Sequence, residues 1–181
     1  DGEAASDYSG QSVSLSSDGR TVAIGAHYND GAGSAAGHVR IYQLDGVTWN
    51  QVGFDIDGEA AADYSGRSVS LSSDGRTVAI GANGNDGSAG HVRIYQLDGA
   101  TWTQLGGDID GEAAGDNSGK SVSLSSDGRT VAIGAYYNDD AGSDAGHVRI
   151  YQLRPYTERT SGKCTEAITT KAECDAAASS L

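Results

Sequence analysis

Fifteen residues, SVSLSSDGRTVAIGA, occur three times without a change, at 12–26, 68–82 and 121–135. Eight more, GHVRIYQL, recur at 37–44, 90–97 and 146–153. Successive starts are 56 and 53 residues apart for the first block, and 53 and 56 for the second. Self-similarity at a period of about 50 residues is the mark of propellers, solenoids and arrays. Chemistry usually needs one place that differs from its surroundings, and this framework repeats. Architecture is therefore far more legible here than activity.

Each unit reads as four strands. In the second, Ser68-Val69-Ser70-Leu71 alternates polar and apolar, the period of a strand. Asp74-Gly75 follows, a strong hairpin signal because both residue types accept positive φ. Thr77-Val78-Ala79-Ile80-Gly81-Ala82 alternates large with small, and a Gly/Asn/Asp-rich loop leads to His91–Leu97. Asp98-Gly99 then turns the chain into a fourth strand, Thr101–Leu105. Four antiparallel strands per unit make a propeller blade. The predicted fold is all-β, a propeller segment of about three blades at roughly 1–56, 57–109 and 110–153. A small segment, 154–181, follows. The apolar positions of the first two strands, Val13, Leu15, Val22 and Ile24 in the first unit, are the expected core.

Unit lengths differ only in the loop between the second and third strands, where insertions are tolerated. Gly25 to His38 and Gly134 to His147 each span thirteen positions, and Gly81 to His91 spans ten. Asp1 opens in mid-repeat, since DGEAA at 1–5 recurs at 57–61 and 110–114. A segment of a longer chain is the expectation. Three blades, the third with Arg154-Pro155 in place of its second Asp-Gly turn, do not close a ring that typically needs about four to eight. Further blades of the same chain, or neighbouring chains, are expected to complete it.

The formal charge of −13 argues against nucleic acid, which calls for a basic face. No apolar run approaches the length needed to span a bilayer. The tight hairpins fall at one end of each blade and the long loops at the other, and sixteen carboxylates sort to the long-loop end against five at the hairpin end. One strongly acidic face results, favouring cations and basic partners.

The pattern SG.SVSLS.DGRTVAIGA, a loop, then GHVRIY resembles the FG-GAP repeats of integrin α-subunit propellers, in the variant of repetitive microbial surface proteins. The resemblance covers 1–153. Ser-Gly stands where the family has Phe-Gly, and Gly-Ala is followed by His27, Asn83 or Tyr136 rather than Pro. Family members often carry a calcium loop between the first two strands. Here that connection is Ser-Ser-Asp-Gly-Arg, too short to wrap six to eight oxygens around the ion. The resemblance implies adhesion or protein–protein contact on a rigid scaffold.

The candidate calcium ligands lie elsewhere. Asp55, Asp57, Glu59 and Asp63 are hard oxygen donors at close spacing, and Asp108, Asp110, Glu112 and Asp116 repeat them. The bland alternative is an acidic turn leaving the fourth strand. His38, His91 and His147 sit on different blades, too far apart to share a metal. Each is expected to bond a neighbouring backbone group, with Arg40, Arg93 and Arg149 in a recurring ion pair.

The loops 27–36, 83–89 and 136–145 vary in both length and sequence, so they are the expected contact surface, with Tyr28, Asn29, Asp30, Asn83, Asn85, Asp86, Tyr136, Tyr137, Asn138, Asp139 and Asp140 as its residues. Trp49 and Trp102 on the outer strand either cover the blade edge or stack on sugars. Cys164 and Cys174 are expected to form one disulfide beside a short helix, which places the protein in an oxidising compartment. The leading expectation is a non-enzymatic extracellular or cell-surface scaffold for adhesion or assembly, binding proteins or copies of itself, with no cofactor required and Ca²⁺ conceivable. A carbohydrate-binding propeller is the alternative. A third is an appendage to a hydrolase carried elsewhere in a longer chain.

Overall fold

The computed structural model describes residues 1–153. The expected disulfide of Cys164 and Cys174 and its helix lie outside the described residues. Three antiparallel sheets follow one another along the chain. The first holds β1 (Ser12–Leu15), β2 (Thr21–Ala26), β3 (His38–Asp45), β4 (Thr48–Gln51) and β5 (Ile56–Asp57). The second holds β6 (Ser68–Leu71), β7 (Thr77–Ala82), β8 (His91–Asp98), β9 (Thr101–Gln104) and β10 (Ile109–Asp110), with a helical turn, α1 (Asn85–Ser88), in its long loop. The third holds β11 (Ser121–Leu124), β12 (Thr130–Ala135) and β13 (His147–Gln152).

Identical sequence gives identical register: Val13 pairs with Ile24, Val69 with Ile80 and Val122 with Ile133. In the Asp-Gly hairpins only the glycine is left-handed, Gly75 at φ 67°. Asp74 instead accepts hydrogen bonds from Ser72 Oγ (2.7 Å) and the Arg76 N–H (3.0 Å).

The outer edge departs from expectation. A single fourth strand was expected, but the edge is built in two pieces. In the second blade, β9 pairs with the end of β8 (Leu97 with Trp102), and β10 pairs with its start (Val92 with Ile109). Gly106, at φ 71°, lies in the break, as Gly53 does at φ 76° in the first blade. Asp55-Ile56-Asp57 and its repeat therefore lead into short edge strands rather than free acidic turns.

The core lies between blades rather than within them. One face of the second blade (Val69, Leu71, Val78, Ile80 and Tyr95) packs on the other face of the first (Ala23, Val39, Ile41 and Ile56). The junction repeats one blade later, Val92 and Ile94 against Leu124, Val131 and Ile133. Polar contacts repeat with it: Ser12 Oγ donates to the Gly66 carbonyl (2.6 Å) and Ser68 Oγ to that of Gly119 (2.7 Å). The Leu71 N–H donates to Ser14 Oγ and the Leu124 N–H to Ser70 Oγ, both at 2.9 Å. Glycine is needed at the seam, because a Cβ on Gly81 would collide with the Gly119 carbonyl oxygen.

The expected core of the first blade is corrected by this arrangement. Val13 and Leu15 are exposed, whereas their counterparts Val69 and Leu71 are buried. The side chains face outward from one sheet and need a neighbouring blade to cover them.

Candidate functional site

The long loops are anchored before they can present anything. Asp7, Asp63 and Asp116 stand 22 positions ahead of Asn29, Asn85 and Asn138, and each asparagine side chain donates to its aspartate at 3.0, 3.4 and 2.9 Å. Asp63 also accepts from the N–H groups of Glu59 (3.2 Å) and Ala60 (2.8 Å). All three aspartates are buried, as are Asn29, Asn83 and Asn138. The aspartate–asparagine pairs pin each loop to the segment that enters its blade, whereas Asn83 donates to Asn117 at 2.7 Å, in the segment entering the next blade. Asp63 and Asp116 thus stand apart from the other candidate calcium ligands, and the buried asparagines are structural members of the expected contact surface. The fixed Asp–Asn spacing is the sequence signal that marks them.

The remaining carboxylates are shared out differently from their order in the chain. Asp55 joins Glu3 and His38, Asp108 joins Glu59 and His91, and Glu112 joins Asp140 and His147. Asp57 and Asp110 belong to none of these sets. Their backbone carbonyls instead accept from Arg93 and Arg149. Burial, with Asp55 next, pushes the Asp57 carboxyl above its ordinary value. The histidines were expected to bond backbone; their rings face carboxylates instead. The arginines do form the expected recurring pair, at 3.4, 3.7 and 3.7 Å from Glu3, Glu59 and Glu112. In the short hairpin where the family's calcium loop would lie, Asp18 accepts from Ser16 Oγ (2.7 Å) and the Arg20 N–H (2.9 Å). Those bonds, the serine's foremost, hold its carboxyl below the usual range. The turn has no ring of free oxygens to offer an ion.

Trp102 packs into the junction between the first two blades and donates its indole N–H to the Val52 carbonyl at 3.0 Å. Trp49, its counterpart, lines the outer apolar face of the first blade beside Val13, Val22, Ile24 and Tyr42. The edge-covering role fits Trp102.

A depression of about 860 Å³ opens where the three blades meet at their long-loop end, lined by Tyr8, His27, Tyr28, Tyr64, Arg67 and Lys120 among others. Arg67 and Lys120 occupy the position after Ser-Gly, filled by Gln11 in the first unit and the one variable position between two constant blocks. The His27 ring lies 4.5 Å from Tyr28, centroid to centroid, and its Nε2 is 3.3 Å from Arg67 Nη1. Burial foremost, then the charges of Arg67 and Lys120, lower its pKa to about 4. Lys120 is likewise lowered by burial and by Arg67. The mouth is thus cationic and aromatic on an otherwise acidic molecule.

Comparison with known proteins places these features. The FG-GAP repeat family matches residues 1–42 and 109–151. The second unit carries the same two sequence blocks as the matched units, which is consistent with a chain built of FG-GAP repeats. No curated protein matches it. Among solved structures it is similar to the periplasmic gluconolactonase of Pseudomonas aeruginosa (18% identity, TM-score 0.51), covering 78% of this chain and 38% of that one. It is similar also to hydrazine synthase of Kuenenia stuttgartiensis (15% identity, TM-score 0.51), covering 78% and 33%. The likeness is one of fold, the stacked blades of a β-propeller, and the chain spans 38% of the first protein and 33% of the second. Among the described residues, no helix is long and apolar enough to cross a membrane.

Proposed function

We propose that the chain is a non-enzymatic scaffold, working outside the cell, that assembles by stacking blade on blade. One observation carries the reading. The apolar face of the first blade (Val13, Leu15) and the opposite face of the third (Val148, Ile150) are the uncovered halves of a junction the molecule makes twice internally. Val148 and Ile150 are 65% and 70% exposed, while Val92 and Ile94, their counterparts, are 0% and 1%. Apolar patches of this kind mark interaction surfaces. The blade that fits each face is one of the same sequence, supplied by further blades of a longer chain or by a copy of this one, and this segment alone is expected to recruit copies of itself. The polar clusters recur from blade to blade, as suits a framework better than a catalytic centre.

Sedimentation of the 181-residue chain across a concentration series tests this. Concentration-dependent self-association, abolished by Leu15→Lys or Ile150→Lys, is expected. A monomer at every concentration would overturn it.

The axial mouth favours a second reading, carbohydrate binding. Tyr8, Tyr28 and Tyr64 offer rings, and Arg67 and Lys120 suit an acidic sugar. A glycan screen whose signal is lost in Tyr64→Ala but kept in Trp49→Ala would support that reading, and a blank screen would exclude it.

A further inference from the structure

Each blade brings a histidine and two carboxylates from separate stretches of chain to one point. In the second blade, His91 opens β8, Glu59 lies in the segment entering the blade, and Asp108 immediately precedes β10. His91 Nδ1 is 3.9 Å from Glu59 Oε2 and 3.8 Å from Asp108 Oδ2. Both distances exceed hydrogen-bond reach. The residue is 1% exposed, and its other ring nitrogen, Nε2, lacks a partner. A buried imidazole nitrogen without a partner is costly, and the ring's Nδ1 is turned toward two carboxylate oxygens. The first blade repeats the arrangement, His38 Nδ1 standing 3.8 Å from Glu3 and 3.5 Å from Asp55. In the third, His147 Nε2 is 3.4 Å from Glu112, and Asp140 from the long loop completes the set.

Within each set the three donor atoms lie within 4.8 Å of one another. Ligands about 2.0–2.1 Å from a tetrahedral zinc are roughly 3.3–3.4 Å apart, so modest contraction would seat an ion with a position left for water. Donor chemistry decides which ion. One imidazole and two carboxylates suit zinc or a neighbouring first-row metal, whereas calcium takes six to eight oxygens. The arginines do not block the site: Arg93 Nη1 faces Glu59 Oε1 at 3.7 Å, while Oε2 is the oxygen turned to His91.

We propose that each blade binds a divalent transition-metal ion, on Glu3, His38 and Asp55 in the first and on Glu59, His91 and Asp108 in the second. A more open third site lies at Glu112, Asp140 and His147. The ion would tie the segment entering each blade to that blade's third strand and outer edge. It acts within a blade and does not rest on the assembly reading.

The test is titration of the full chain with zinc, followed by calorimetry and native mass spectrometry, with cobalt as a spectroscopic probe. One equivalent per complete set is expected, and Asp55→Asn and Asp108→Asn should each remove one. The melting temperature of the parent should rise with zinc, a readout that needs no variant. The cobalt spectrum should lack the thiolate charge-transfer band that Cys164 and Cys174 would give. Absence of zinc binding, stoichiometry unchanged in both variants, or a thiolate band accounting for all bound metal would overturn the proposal.

Discussion

Leu15 and Leu71 occupy the same place in the same fifteen residues, pair with Val22 and Val78 in the same register, and differ in one respect. Leu71 is 7% exposed and Leu15 is 60%. Local sequence makes the strand in both cases, but only a neighbouring blade makes it a core strand. Blade sequence therefore encodes an interface as much as a fold. The same logic separates Trp102, held against Val52, from Trp49, and Val92 from Val148.

The largest contrast should come from deleting the leucines. Leu71→Ala should cost about 2–5 kcal/mol of unfolding free energy, as buried truncations do. Leu15→Ala, at low concentration, should stay within about 0.5 kcal/mol, as surface changes do. Equal losses in denaturant melts would break the comparison. Next come the seam glycines. At Gly81 an added Cβ meets backbone, the Gly119 carbonyl oxygen, while at Gly134 it meets only the Ser121 hydroxyl. Gly81→Ala should destabilise by about 1–3 kcal/mol, the usual cost of overpacking, and Gly134→Ala by clearly less.

The last contrast concerns His27, where the second blade has Asn83. In the folded chain His27 takes up a proton only near pH 4, against about 6.5 when unfolded. The unfolded chain thus binds more protons between those values, so the neutral ring's contribution is present above about pH 6.5 and is lost as pH falls toward 4. Arg67 and Lys120 press in the same direction. His27→Asn should flatten the melting temperature over that window relative to the parent. A slope as steep as the parent's would show that the ring is not held neutral.

Sequence carried the fold well because its signals are local. Alternation in Ser68–Leu71, the Asp-Gly turns and the repeat period state strands, hairpins and blades without reference to anything distant. What escaped it depends on chain segments far apart in sequence. Glu59 and His91 are 32 positions apart and meet only because the entering segment runs past the start of β8. The acidic run Asp55–Glu59 looked like one site and serves two blades, because Ile56 and Asp57 form the edge of the first while Glu59 already belongs to the second. The Asp–Asn latches were legible as a constant spacing of 22, but only their burial shows that they hold loops rather than ligands.

The stacking claim is tested most directly at one amide. The Leu71 N–H donates across the first junction to Ser14 Oγ, and the Leu124 N–H across the second to Ser70 Oγ. The Leu15 N–H would find the same partner in Ser123 of another copy's third blade. Site-resolved hydrogen exchange should show Leu71 protected at every concentration and Leu15 gaining protection as concentration rises, with the gain lost in Ser123→Ala. A Leu15 amide that exchanges equally fast at all concentrations would contradict blade-on-blade assembly.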